Sequence, residues 1–226
     1  MSYIVAHNRI WCADLADILQ KSLKKDFLSI SNKKDLSDAN IKKINPKYIF
    51  FAHWSHFIPK AIYDNYTCVI FHMTDLPFGR GGSPLQNLIV RGHKETKLSA
   101  IKCVGEIDAG PIYMKKRMKL NGSAEEIYFR ATDLTREMIE FIVENEPDPV
   151  AQKGKVTKFK RRNREDGNLE NCESLDEIYN YIRMLDAEGY PRSFIRYKNF
   201  ELKFSKASLN KNILNAKVEI IKNNEK

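Results

Sequence analysis

The chain has 226 residues, of which 42% are hydrophobic and 11% aromatic, and its formal net charge is +9. No apolar run approaches the roughly 20 residues that span a bilayer, and the start has no basic region followed by a long apolar one, so composition excludes a membrane protein and favours a cytoplasmic globular one. The positive charge is compatible with nucleic acid, a phosphorylated metabolite or no specific anionic partner, and does not choose between them.

Strands and helices alternate through the first two thirds of the chain. Apolar, β-branched runs predict strands, and apolar residues three or four positions apart predict helices. In chain order the predicted elements are a strand at 3–6, a helix at 10–23, a strand at 27–30, a helix at 35–44, a strand at 48–54, a helix at 59–63, a strand at 68–71, a helix at 84–91, strands at 98–104 and 111–118, and a helix at 123–145. This alternation predicts a doubly wound, mostly parallel α/β sheet.

The composition changes at the segment ENEPDPVAQKGK, where two prolines and a glycine end the last long helix. We therefore predict an α/β domain over residues 1–152 and a small C-terminal α+β subdomain over 153–226. The subdomain is predicted to contain a helix at 175–185 and a β-hairpin that turns at Lys198 and Asn199. Its charged end is predicted to fray.

The cysteines and histidines do not indicate a metal or redox centre. Four cysteines are far apart and form no CxxC pair: Cys12, Cys68, Cys103 and Cys172. Four of the histidines are loosely spaced: His53, His56, His72 and His93. Because zinc sites need closely spaced ligands, we expect reduced thiols and no metal.

His72 and Asp108 are the candidate chemical groups. His72 directly follows an apolar strand, and Asp108 lies in the turn GEIDAG between two strands. Strand ends in an open α/β sheet face a shared crevice, so we expect the two side chains to meet there. A histidine can move protons near neutral pH, and a carboxylate can orient it. Taken singly, a structural core histidine and a turn-capping aspartate remain alternatives.

The loop at 77–84 places Gly79, Gly81 and Gly82 around Arg80. It has neither the Lys-Ser/Thr ending of a P-loop nor a Rossmann fingerprint after a first strand. We therefore expect the glycines to allow a tight path past a ligand, and Arg80 to hold an anion.

Together these residues resemble a known family. The shared pattern is His72-x-x-x-Leu76-Pro77, then Arg80-Gly81-x-x-Pro84, Gly92, Thr96 and Asp108-x-Gly110-x-Ile112. It is similar to the folate-dependent formyltransferases, which include the N-terminal domain of methionyl-tRNA formyltransferase, glycinamide ribonucleotide formyltransferase and, most similar in our interpretation, the nucleotide-sugar N-formyltransferases.

The resemblance implies a Rossmann-like formyltransferase fold and transfer of a formyl group from N10-formyltetrahydrofolate to an amine, without a metal. It implies that His72 and Asp108 act in catalysis. It also implies that the folate is bound by residues of two segments: Ala52, Trp54, Phe57, Ile58, Gly105, Ile107 and Asp108.

One position departs from the family pattern. Relatives carry Asn two residues before the histidine, whereas this sequence has Ile70. The missing amide would donate a hydrogen bond to the oxygen that becomes negative during the reaction. We predict that Asn87 supplies this donor, with Gln86 and Thr74 as further candidates.

The C-terminal segments FKRRNREDG and 174–195 resemble those of sugar formyltransferases. We therefore expect the acceptor to be a UDP- or dTDP-linked 4-amino-4,6-dideoxyhexose used in surface-glycan biosynthesis. The residues expected to bind it are Thr74, Arg80, Arg161, Arg162 and Arg183. For each of the last three, an ordinary surface ion pair is an equal alternative. The short region after residue 155 argues against nucleic acid, and sugar-acting relatives imply a homodimer.

Three other functions stay open. The first is a methionyl-tRNA formyltransferase-like enzyme. The second, suggested by Ile70, is a folate-binding or tailoring module with impaired catalysis. The third is a hydrolase that releases formate.

Overall fold

The computed structural model describes residues 1–222. The last four residues, on which the predicted fraying falls, lie outside this range. The strands are β1 (Ser2–Ala6), β2 (Asp26–Ile30), β3 (Tyr48–Phe51), β4 (Cys68–His72), β5 (Arg80–Gly81), β6 (Glu95–Lys102), β7 (Ile112–Lys119), β8 (Lys158–Phe159), β9 (Ser193–Tyr197), β10 (Phe200–Asn210) and β11 (Ile213–Lys222). The α-helices are α1 (Leu15–Leu23), α2 (Asp38–Ile44), α3 (Lys60–Asn65), α4 (Pro84–Val90), α5 (Ala124–Asn145) and α6 (Leu175–Met184).

The main sheet is six-stranded, in the order β2-β1-β3-β4-β6-β7. Strand β1 pairs in parallel with β2 and β3, and β3 pairs in parallel with β4. Strand β6 pairs antiparallel with β4. The predicted mostly parallel α/β sheet is therefore confirmed, and the carboxyl ends of β1, β3 and β4 lie at one edge.

The central strands are apolar on both faces because both faces are covered. All four residues of β3 are buried, and so are the last four of β1. One core cluster joins Ile4 of β1, Ile49 and Phe51 of β3, and Ile62 of α3, which are at most 1% exposed. Burial of this apolar surface is the main force that holds the sheet together.

Several element boundaries differ from the sequence prediction, and three of these differences have a clear local reason. The predicted helix at 10–23 begins as a 3-10 turn, Ile10–Cys12, because the N–H groups of Cys12 and Ala13 bond to carbonyls three residues back. Helix α2 starts only at Asp38, where the Ser37 hydroxyl accepts from the N–H of Asn40. Strand β3 ends at Phe51, two residues before a backbone φ of +49° at His53.

Helix α5 begins as predicted. The Ser123 hydroxyl accepts from the N–H of Glu126 at 3.2 Å, and the Glu126 carboxylate accepts from the N–H of Ser123 at 2.7 Å. This reciprocal capping box satisfies two N–H groups that the helix itself leaves free. Within residues 1–222, no helix is both long and apolar enough to cross a membrane.

The contacts divide the chain into two compact units, each made of separate stretches. The first comprises residues 1–81, 96–118 and 129–158, and the second comprises 82–95, 119–128 and the chain from 159 onward. The second unit contains the antiparallel sheet β11-β10-β9, whose β9–β10 hairpin turns at Lys198 and Asn199. The predicted boundary after residue 152 is close to the change of unit after residue 158, but the pattern did not assign α4 to the second unit.

Candidate functional site

His72 lies at the carboxyl end of β4 and is 6% exposed. Its Nε2 is 2.8 Å from the carbonyl oxygen of Gly79, and its Nδ1 is 3.5 Å from Oδ1 of Asp108. Because a carbonyl oxygen can only accept, Nε2 carries the proton of the neutral ring. Nδ1 is then the atom that can take a proton, and it faces a carboxylate.

Asp108 lies in the turn between β6 and β7, with a backbone φ of +52°. This left-handed conformation is uncommon for residues other than glycine, although aspartate adopts it more readily than most. Its Oδ2 accepts from the N–H of Gly81 at 2.8 Å. One carboxylate thus contacts both His72 and the glycine loop.

The turn lies close against the backbone of β6 at Gly110. A Cβ atom at this position would be 1.7 Å from the carbonyl oxygen of Lys102. Any side chain would therefore displace the backbone that carries Asp108.

The loop after β4 is fixed from several sides. The Gly79 carbonyl that receives His72 is also 3.4 Å from the Thr74 hydroxyl, which can donate to it, and the Thr74 carbonyl accepts from the Ser99 hydroxyl at 2.7 Å. The Gly79 N–H donates to Oγ1 of Thr157 at 2.7 Å. Thr74 is completely buried, so its side chain has no exposed surface for the predicted contact with substrate.

Asp75 holds the same loop through charge. Its carboxylate pairs with Lys97 and with Lys115, and Lys115 also donates to the carbonyl of Leu76. Burial pushes the pKa of Asp75 upward, but the hydrogen bonds and charges of Lys115 and Lys97 outweigh it and hold the pKa below its usual value.

Arg80 has intramolecular partners on each of its guanidinium nitrogens. Nε and Nη2 donate to Oε1 of Gln152 at 3.2 and 2.8 Å, and Nη1 is 3.3 Å from the Glu106 carboxylate. The predicted role of Arg80 in binding an anion stays a prediction. Gln152 and Thr157 were missed by the sequence analysis because they lie in the proline- and glycine-containing linker, which has neither periodicity nor a motif.

The residues expected to bind folate differ in how far they are exposed. Ala52 is completely buried, whereas Trp54 and Ile58 pack partly exposed against the core cluster. The indole N–H of Trp54 is buried without a hydrogen-bond partner among the described residues. Phe57 and Ile107 are 83% and 58% exposed, and Gly105 leaves space for a side chain beside Tyr63. A buried unpaired donor at Trp54 and exposed apolar side chains at Phe57 and Ile107 are groups of the kind that bind a flat ring system with a polar edge.

Asn87 belongs to the second unit, in α4. Its side-chain amide donates to the carbonyls of Gly82, Ser83 and Lys160 at 2.9–3.0 Å, and its Oδ1 accepts from Arg91. Both amide hydrogens are therefore used within this unit, and its predicted role as donor in the reaction stays a prediction. Its neighbour Gln86 donates to the Tyr128 hydroxyl at 2.8 Å.

The three arginines predicted to bind phosphate also belong to the second unit. Arg161 is exposed, and Arg162 donates to the carbonyl of Asp166. Arg183 is 6% exposed and donates to the carbonyls of Leu120 and Gly122, and burial lowers its pKa. Their predicted roles remain untested, and the described residues contain no group of three His, Cys, Asp or Glu that could hold a metal.

Two family models match the chain. The model described as "Formyl transferase" matches residues 14–141, and "Methionyl-tRNA formyltransferase, C-terminal domain" matches residues 164–221. A methionyl-tRNA formyltransferase of Sulfurihydrogenibium sp. is 27% identical over 207 residues, which are 87% of this chain and 66% of the relative. The chain spans 66% of the length of this relative and 49% of the length of a methionyl-tRNA formyltransferase of Thermodesulfovibrio yellowstonii.

Solved structures give the same family. The structure of a methionyl-tRNA formyltransferase from Clostridium thermocellum is 48% identical, with a TM-score of 0.95 over 98% of this chain and 99% of that chain. A sugar N-formyltransferase from a Shewanella species is 16% identical, with a TM-score of 0.69 over 93% of this chain and 99% of that chain, which is a likeness of fold alone.

The expected nucleotide-linked amino-sugar acceptor is therefore wrong. The similar relatives carry the name methionyl-tRNA formyltransferase, and the sugar-acting proteins are distant. The segments FKRRNREDG and 174–195 were interpreted as sugar-enzyme features, but most of this region is matched by a methionyl-tRNA formyltransferase C-terminal model. The short C-terminal region also does not argue against tRNA, because the similar protein from C. thermocellum is matched over nearly its full length.

Proposed function

The chain belongs to the formyl transferase family, and on that premise we propose that it transfers a formyl group to the α-amino group of methionine carried by tRNA. N10-formyltetrahydrofolate supplies the formyl group when it is bound. The observation that carries the proposal is the pairing of His72 with Asp108 at the strand-end edge of the sheet.

The proton chemistry of His72 suits an amine acceptor. As the amine forms its new C–N bond, the bond between the formyl carbon and N10 of the folate breaks. The amine loses a proton and the departing N10 takes one up, so the site needs a group that accepts a proton and returns it. Because Nε2 donates to Gly79, the proton is taken at Nδ1, beside Oδ1 of Asp108. The carboxylate then faces an imidazolium, and the 3.5 Å contact becomes an ion pair.

The segments around Trp54 and Ile107 would hold the folate. The buried indole N–H of Trp54 has no partner in the described part of the chain, so a bound acceptor atom would relieve an unpaired donor. Phe57 and Ile107 offer exposed apolar surface for the rings. Ala52 and Ile58 belong to the segment of Trp54, and Gly105 belongs to the segment of Ile107, which also contains Asp108.

Three findings support tRNA as the acceptor. The relative that is 48% identical, and that is matched over 99% of its own chain, is named a methionyl-tRNA formyltransferase. The second family model is that of the C-terminal domain of the same enzymes. The net charge of +9 would attract a polyanion.

The test is formylation of methionyl-tRNA by the purified protein with N10-formyltetrahydrofolate, detected as formylmethionine after deacylation. We expect transfer by the wild type and by His93→Ala, and loss of transfer in His72→Ala. Raising the salt concentration should weaken tRNA binding steeply, because phosphate contacts release counterions. Folate binding without transfer to methionyl-tRNA would contradict the proposal and favour the impaired module suggested by Ile70.

A further inference from the structure

We propose that Gln152 is a positioning residue that sets the carboxylate of Asp108 against His72. This inference rests on the proposed function for its kinetic test, and it has a second test that does not. Gln152 lies in the linker after α5 and belongs to the first unit, together with all of its partners.

The amide of Gln152 uses its hydrogen-bonding capacity fully. Its Nε2 donates one hydrogen to the carbonyl of Asp108 at 2.8 Å and the other to the carbonyl of Gly110 at 2.9 Å. Its Oε1 accepts twice from Arg80, at 3.2 and 2.8 Å. A side-chain amide offers two donors and two lone pairs, and here each has a partner.

The bonds to the turn hold a backbone that would otherwise relax. Asp108 has a φ of +52°, a conformation that is less favourable for a residue with a Cβ atom. Gln152 binds the carbonyl of this residue and that of Gly110, on both sides of Ala109. Without these bonds the turn can leave the left-handed conformation, and the carboxylate would then move away from His72.

The bonds to Arg80 hold the other side of the same pair. Arg80 lies between Gly79, whose carbonyl receives Nε2 of His72, and Gly81, whose N–H binds Oδ2 of Asp108. Gln152 thus connects the backbone of the Asp108 turn to the loop that contacts both reacting side chains. Since a displacement of about 1 Å costs about a hundredfold in rate, such a connection matters for turnover.

The kinetic test compares Gln152→Ala and Gln152→Glu with the wild type. Gln152→Glu keeps an acceptor for Arg80, which supports folding, but it cannot donate to the turn. We expect both variants to lower kcat by about tenfold to hundredfold while KM for methionyl-tRNA and for the folate stays within about twofold. Gln20→Ala is the matched control, since the exposed residue Gln20 also bonds to the backbone through its side chain, which accepts from the N–H of Phe27.

The second test measures the ¹⁵N chemical shifts of the His72 ring, which report which nitrogen carries the proton. We expect these shifts to change in both Gln152 variants and to stay unchanged in Gln20→Ala. If the wild type does not formylate methionyl-tRNA, the proposed function fails while this test still decides the role of Gln152. Values of kcat equal to that of Gln20→Ala, or unchanged His72 shifts in folded Gln152 variants, would overturn the inference.

Discussion

His72 faces Asp108 with Nδ1 3.5 Å from Oδ1, while its other ring nitrogen is held by the carbonyl of Gly79. Because Nε2 is bonded to the Gly79 carbonyl, Nδ1 is the nitrogen that can exchange a proton. The two contacts together fix the plane of the ring. They also join the end of β4 to the loop that follows it and to the turn between β6 and β7.

Asp108→Asn separates the charge of this residue from its hydrogen bond. The amide oxygen can still accept from Gly81, and asparagine tolerates the left-handed backbone, so the variant should fold. Removal of the charge that supports His72 should lower kcat by about 10²- to 10⁴-fold. Single-turnover formylation at equal tRNA saturation measures this, and a folded variant with wild-type turnover would exclude Asp108 from the reaction.

Gly110→Ala should disrupt the turn, because its Cβ atom would lie 1.7 Å from the carbonyl oxygen of Lys102. Gly105→Ala in the same turn is the control, since a Cβ there would meet only the Tyr63 hydroxyl at 3.6 Å. Thermal unfolding should show a clearly lower midpoint for Gly110→Ala than for Gly105→Ala. Equal midpoints would mean that the turn is not packed against β6 as described.

Asn87→Ala should reduce stability. The substitution leaves the carbonyls of Gly82, Ser83 and Lys160 without their side-chain donor, and lost buried hydrogen bonds cost about 1–3 kcal/mol each when a group stays unpaired. Asn145→Ala, which removes an exposed bond to the carbonyl of Phe141, should change the free energy of unfolding by less than about 0.5 kcal/mol.

The same variant tests the predicted role of Asn87 as a donor in the reaction. Urea denaturation gives the stability of Asn87→Ala, and initial rates below its unfolding range give its turnover. Loss of about a hundredfold in turnover with unchanged stability would favour the donor role over the structural one.

Asp75 should make stability depend on pH at the acid end. Its pKa is lower in the folded protein than in the unfolded chain, so its stabilising effect is present above the unfolded value, near about pH 4, and is lost as pH falls through the folded value. The difference in melting temperature between wild type and Asp75→Asn should therefore shrink below that pH. Asp64→Asn, which removes an exposed pair with Lys60, is the control, and a difference that stays constant with pH would contradict this assignment.

Ile70→Asn restores the amide that the family pattern places two residues before the histidine. We expect kcat to rise by about tenfold or more, because one such donor contributes about a hundredfold or more in other enzymes. Stability should fall, since Ile70 packs against the core cluster and pairs with Ile101 and Phe51. Ile70→Val should leave kcat unchanged, and an equal kcat in all three proteins would mean that this position does not limit the reaction.

The sequence predicts best what depends on local pattern. The strand that ends at His72, the capping box of α5 and the β9–β10 hairpin follow from apolar spacing and from turn residues. The partners of Asn87 do not, because Lys160 is 73 residues away along the chain. The role of Gln152 could not be predicted for the same reason. Its contacts are with Arg80 and with the turn that contains Asp108, both of which are distant from the linker along the chain, and no periodicity indicates such contacts.

The left-handed backbone of Asp108 decides how this position can be altered in the laboratory and in natural variants. Exchange of one carboxylate for another is usually regarded as a mild change, but glutamate adopts this conformation less readily than aspartate or asparagine. A glutamate would therefore alter the backbone as well as the reach of the side chain. Aspartate combines a negative charge with tolerance of this geometry, so we expect no other residue type at position 108 to preserve both.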